Sequence, residues 1–232
     1  MKSLFPVIFI LILILSSCAA RIDGSLASDG SALLTVNMSL EPRITSLIRS
    51  LTAAGGQSGG NVLDGQAIAQ SMSAAPGIAS VSFKNLSSAS IEGQIRILKI
   101  NEFLSAANNG FIIFEQNRTG GRCEISINRE NSPAVLELLS PEISDYLNAL
   151  MAPIASGEKM TKPEYLELTA SFYNRAISEE IAASRIRASV DFPGNITSVK
   201  GGTFTGRKAL FDIPLIDLLV LEHPVIFEVV WN

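Results

Sequence analysis

The stretch "GFIIFEQNRTGGRCEISINR", Gly110 to Arg129, decides how the chain is read. Cys123, Ile125 and Ile127 alternate with Arg122, Glu124 and Ser126, the period of two that buries one face of a strand and wets the other. "NRTGG", Asn117 to Gly121, is a turn signal between two such runs, so the stretch reads as a β-hairpin. Upstream, "IASVSFKNL" (Ile78–Leu86) and "SIEGQIRILKI" (Ser90–Ile100) have the same character, and the four runs predict an antiparallel meander. "INEFLSAANNG" adds a short helical turn inside it.

Working outward, Leu34, Val36, Met38 and Leu40 alternate with polar residues and predict an earlier strand. After Pro42, Ile44, Leu47, Ile48 and Leu51 follow the i, i+3, i+4, i+7 pattern of an amphipathic helix. "AAGGQSGGN" (Ala53–Asn61) reads as a flexible linker, and Asp64 to about Ala74 as a short helix ended by "APG". Beyond the hairpin, one helix is expected from Pro141, with Ile143, Tyr146, Leu147, Leu150, Met151 and Ile154 on one stripe. A second is expected from Pro163 to about Ser184, with Leu168, Phe172, Tyr173, Ala176, Ile177 and Ile181 inside and Thr161 or Lys162 before its start. Strands return at Ile186, Ala188, Val190 and Phe192, through "KGGTFTGRK", and in the closing "PVIFEVVW", which must pair centrally or be covered to avoid an exposed apolar edge. The class is α+β: a largely antiparallel sheet with two main amphipathic helices packed on one face. Residues 32–232 form one domain with a helical insertion at about 133–184.

Charged residues make up 17% of the chain, the formal net charge is −4 and the pI is about 5.1. No block of Lys or Arg occurs, which leaves no electrostatic footprint for nucleic acid.

At the other end, Lys2 precedes an apolar run from Leu4 to Leu15. A membrane-spanning helix needs roughly 17–25 such residues, so residues 1–17 read as a signal peptide. Leu15-Ser16-Ser17-Cys18 resembles the lipobox of bacterial lipoproteins. The resemblance implies cleavage between Ser17 and Cys18, a diacylglyceryl group and a further acyl chain such as palmitate on Cys18, and a membrane-anchored protein of the bacterial cell envelope. Ala19, where an Asp would retain enterobacterial lipoproteins, resembles the outer-membrane sorting pattern. Residues 18–31, with the small and polar "GSLASDGS" (Gly24–Ser31), are then expected to form the lipidated N-terminus and a tether. "VDFPGNITSVKGG" followed by "TGRKALFDIPLIDLL" is similar to the strand, Pro-Gly turn, strand and final hairpin of LppM-like bacterial lipoprotein domains.

Chemistry is harder to find. Cys123 has the setting of a small buried hydrophobe, and Arg122 points to the opposite face of the strand. "GGTFTGRK" (Gly201–Lys208) has the glycine spacing of a phosphate loop, but Arg207-Lys208-Ala209 stands where Lys and Ser or Thr belong, so it reads as a hairpin. His223 is the single histidine, with Asp212, Asp217 or Glu222 available to orient it as a base, but no Gly-x-Ser-x-Gly supplies a nucleophile. One histidine and no close cysteine pair exclude the common zinc arrangements, and no Asp-rich calcium loop occurs. Glu179 and Glu180 read as a solvated helix face, and the Asn-x-Ser/Thr triplets at Asn37, Asn85, Asn117 and Asn195 as chance. With no catalytic, cofactor or metal site found, the expectation is a non-enzymatic envelope domain that binds or scaffolds. Its partner would be an envelope protein or an apolar ligand held between sheet and helices. The alternative is an envelope hydrolase with a non-local carboxylate or His-based site.

Overall fold

The computed structural model describes residues 18–54, 60–107, 111–137, 147–148 and 150–232. The expected signal peptide, residues 1–17, most of the Gly-rich linker and half of the helix expected from Pro141 lie outside the described residues.

Seven strands form one sheet: β1 (Cys18–Leu26), β2 (Ala32–Ser39), β3 (Ile78–Ser87), β4 (Ser90–Ile97), β7 (Arg185–Asp191), β9 (Thr203–Thr205) and β10 (Lys208–Pro214). Their order is β3-β4-β2-β1-β7-β10-β9. Four more, β5 (Ile112–Asn117), β6 (Gly120–Ile127), β8 (Ile196–Lys200) and β11 (Val225–Trp231), form a second sheet in the order β5-β6-β11-β8. The fold is α+β and the pairing is antiparallel throughout except between β1 and β7, which run parallel. The expected meander is therefore two hairpins in two sheets. The chain crosses between them through α3 (Ile100–Ala107), whose Ile100 and Phe103 pack on the inter-sheet core.

That core follows from the period of two. Leu34 and Val36 of β2, Ile95 and Ile97 of β4, and Ala209 and Phe211 of β10 face Phe114 of β5, Cys123 of β6 and Val229 and Trp231 of β11. The sheets join along one edge, where β8 leads into β9 through Gly201 and Gly202. Gly201 has φ +76, and a Cβ there would strike the Ile226 carbonyl, so glycine is required for the chain to change sheets. β11 lies between β6 and β8, which covers the apolar closing strand as its sequence demanded.

Helices α1 (Pro42–Ala54), α5 (Pro153–Ser156), α6 (Lys162–Phe172), α7 (Arg175–Ala183) and α8 (Leu215–Val220) make a separate core with Ile44, Ile48, Tyr165, Ile181 and Val220 at its centre. Ile127 at the end of β6 and Val225 at the start of β11 pack against it, so these helices cap one end of the two-sheet sandwich. This corrects the expectation of two helices laid on one sheet face. The second sheet has its own apolar inner face and occupies that place. The shorter α2 (Gly65–Ser73), capped by Asp64, covers Ile91 and Phe83 where the larger sheet extends past the smaller. A further short helix, α4 (Ser132–Glu137), follows β6.

Three local readings are also corrected. Residues 18–26, expected as part of a tether, form β1 at the heart of the larger sheet, and 27–31 make its turn into β2. Ala20, Ile22, Gly24 and Leu26 do alternate with Arg21, Asp23 and Ser25, but small residues hide the period. The helix expected over 163–184 breaks at Tyr173. Asn174 is extended there, and its side chain accepts the Ile177 N–H (3.0 Å) and opens a new helix. Within the first of the two helices Tyr165 and Thr169 are buried and Phe172 is 67% exposed, and the buried stripe resumes after the break at Ile177 and Ile181. Glu180 is no solvated face residue, since its Oε2 accepts the N–H groups of Arg43 and Ile44 (both 3.2 Å) and so caps α1.

Candidate functional site

Between the sheets lies a cavity of about 400 Å³. The larger sheet lines it with Ile22, Leu34, Ala188, Val190, Phe211 and Ile213. The smaller contributes Phe114, Cys123, Ile125, Phe227 and Val229, while Ile100 of α3 and Leu218 of α8 complete the wall. Ser25 carries the one hydroxyl among the lining residues, and it is exposed. Protein cores pack to crystal density with few voids larger than a water. The space is partly open to solvent, and its volume falls in the size range of small-molecule sites, roughly 300–1,000 Å³.

Aromatic side chains hold the walls apart. Phe211 of one sheet meets Phe227 of the other edge-on, with ring centroids 5.3 Å apart. At the opposite end from the helical cap, Trp231 stacks obliquely with Phe192 at 4.9 Å and Phe114 at 6.1 Å. Its indole lies across Gly121, where any Cβ would strike the ring. Cys123 contributes its thiol to the wall, and burial pushes that group from 9.0 up to about 11. The thiol stays protonated and unreactive at neutral pH. Arg122 turns to the other face, as strand alternation required, and pairs with Glu124 and Glu228.

The carboxylates considered for His223 do come together. Asp212, Asp217, Glu222 and His223 line a pocket of about 330 Å³ with Lys162. Each carboxylate already has structural work. Asp217 accepts from Lys162 Nζ (2.8 Å), Glu222 accepts the Lys162 backbone N–H (3.1 Å), and Asp212 pairs with Arg185 (2.6 Å). The Asp217 hydrogen bond holds the Lys162 ammonium above its ordinary range. No Ser, Thr or Cys lines this pocket among the described residues. No group of three His, Cys, Asp or Glu side chains among them could hold a metal ion.

A larger groove of about 710 Å³ runs over the outer face of the seven-stranded sheet. Register places Glu92, Asn37, Arg21, Arg187 and Asp212 side by side across it. Arg21 pairs with Asp23 (2.8 Å) and Arg187 with Asp212 (3.6 Å), so its charges offset one another in a solvated surface. The smaller space, with its apolar lining, is the better candidate. Strand alternation in the sequence identified many of its walls, but the cavity itself comes from two sheets meeting, for which no single segment carries a signal.

No family model matches the chain, and no curated protein matches it. Among solved structures the chain is similar to the folded domain of LppM from Mycobacterium tuberculosis, determined by NMR. The TM-score is 0.41 and the sequence identity 9%, over 92% of this chain and 88% of that one.

Proposed function

We propose that the protein is a lipid-anchored, non-enzymatic lipoprotein of the bacterial cell envelope whose domain binds an apolar ligand between its two sheets. The observation that carries the binding role is the cavity of about 400 Å³ walled by apolar side chains. The lipobox at Leu15–Cys18 supports the anchor, and Ala19 favours the outer membrane over the inner. At about 30 Å³ per water-sized group, the space admits a chain of roughly a dozen carbons. Cys123 provides the test because its thiol is part of the wall. In protein purified from envelopes, dodecan-1-ol at saturation is expected to slow modification of Cys123 by an uncharged thiol reagent at pH 9 and to raise the melting temperature. Unchanged labelling and melting would remove the binding role. The intact mass tests the anchor separately: loss of residues 1–17 with acyl groups added at Cys18 is expected, and an unmodified chain beginning near Arg21 would exclude it.

The pocket around His223 motivates a second reading, an envelope hydrolase. Ester or glycan hydrolysis abolished by His223→Ala would favour it.

A further inference from the structure

Three arginines gather on the outer face of the larger sheet, although the sequence holds no basic block. Arg21 of β1 and Arg187 of β7 are partners in register on parallel strands, so their side chains leave the same face about 4.8 Å apart. Arg185, two residues before Arg187 and on the same face, is in register with Cys18. Like charges set directly opposite one another destabilise a sheet unless something neutralises them. Two carboxylates do part of this: Asp23 holds Arg21 (2.8 Å), and Asp212 is shared between Arg185 (2.6 Å) and Arg187 (3.6 Å). Farther along the same row Glu92 is matched by Lys84 (3.7 Å). Within the groove of about 710 Å³ the charges of Arg21 and Arg187 balance those of Asp23 and Asp212, and Arg185 beside it adds one more. Three guanidinium groups against two carboxylates leave one positive charge.

That surplus lies beside the proposed anchor. The groove reaches Ser39 and Ser90, register partners at the end of the sheet where β1 begins. At about 3.3 Å of rise per residue, Arg21 is roughly 10 Å along β1 from Cys18. Acyl groups on Cys18 would therefore bring the headgroup layer of the bilayer alongside the arginines. A lipid phosphodiester carries one negative charge, which equals the surplus, and its oxygens match the fork of a guanidinium group. Basic side chains next to a membrane anchor are drawn to anionic lipid in the same way.

Resting on the anchor reading above, we infer that Arg21, Arg185 and Arg187 form a docking site for the phosphodiester of an anionic phospholipid in the membrane that holds the anchor. The phosphate takes the place between Arg21 and Arg187, and the contact sets the orientation of the sandwich on the bilayer. A zwitterionic lipid is disfavoured, because both carboxylates are already engaged and its cationic end meets the surplus positive charge.

The test is native mass spectrometry of the full-length protein in detergent, with dioleoylphosphatidylglycerol or dioleoylphosphatidylcholine added. The two lipids share their acyl chains, so uptake into the apolar cavity is the same for both and only the headgroup is compared. The wild type is expected to retain phosphatidylglycerol about fivefold more, also in millimolar inorganic phosphate, and Arg187→Gln to bring the two lipids within twofold. Arg21→Gln should do the same and serves if Arg187→Gln does not fold. Equal retention of both lipids by the wild type, or a preference that survives in both variants, would overturn the site. A preference abolished by inorganic phosphate would assign the arginines to a soluble anion and overturn lipid docking. The same spectra report acylation of Cys18. An acylated protein without headgroup preference overturns this inference alone, whereas an unacylated chain overturns the anchor and, with it, the placement of the site at the bilayer.

Discussion

At the scale of single residues, Tyr165 shows how a polar atom is admitted to the helical core. The side chain is fully buried, and its hydroxyl donates to the Leu150 carbonyl at 3.0 Å. Burial raises the phenol well above its ordinary titration range, so it remains a donor at every pH the fold survives. Tyr165→Phe leaves that carbonyl without its partner and should cost about 1–2 kcal/mol, read as a lower denaturation midpoint with an unchanged slope. Cys123 makes a prediction about pH. Its thiol ionises near 9.0 when unfolded and near 11 when folded. Between those values the unfolded chain has released a proton that the folded chain still holds, so stability is full below pH 9 and falls as pH rises toward 11. The half-buried position limits the loss to on the order of 1–2 kcal/mol. Cys123→Ala should flatten the decline, and a decline of the same size in that variant would contradict the assignment.

At the scale of elements, α6 and α7 illustrate what local sequence can and cannot give. Thr161 and Glu164 form a reciprocal cap: Glu164 Oε2 accepts the Thr161 N–H (2.7 Å), and Thr161 Oγ1 accepts from Glu164 N (3.4 Å). The backbone hydrogen bond from Thr161 holds the Glu164 carboxyl below its ordinary range, so this contact is present at neutral pH and lost as the medium is acidified through that lowered value. Thr161→Ala should cost about 1 kcal/mol, with slower amide exchange protection lost first in the opening turn of α6. The start of this helix was legible because Pro and a capping pair act through neighbours in the chain. Its end was not, because apolar residues at helical spacing continue through Tyr173, and the break depends on Asn174 and on Ser178 Oγ reaching the Leu166 carbonyl (2.7 Å) from the next helix.

At the scale of the molecule, β1 is the joint of the larger sheet. It pairs antiparallel with β2 on one side and parallel with β7 on the other, so the N-terminal and C-terminal halves of that sheet meet through it. A tether could be shortened freely. Deleting residues 19–26 should instead abolish cooperative unfolding and collapse the amide chemical-shift dispersion of the whole sheet, and a deletion variant that melts like the wild type would refute this role. The same geometry gives the proposed anchor a consequence. Cys18 is the first residue of β1 and pairs with Arg185, so acyl groups on it would hold the end of the sandwich that the helices cap close to the bilayer, without an intervening linker.

The sequence by itself determined the α+β class, the antiparallel hairpins, the inward positions of Cys123, Ile125 and Ile127, and the starts of α1, α2 and α6. Each of these depends on side-chain period or on capping contacts a few residues apart. Tertiary structure alone decided that the strands divide into two sheets, that β1 is a strand at all, and that helices cap an end of the sandwich instead of a face. The space between the sheets belongs to the same group. These depend on pairings such as Ile22 with Ala188 and on Phe211 meeting Phe227 across the core, between residues far apart in the chain. A short-range pattern records which face of a strand is apolar, but not which apolar face it will meet.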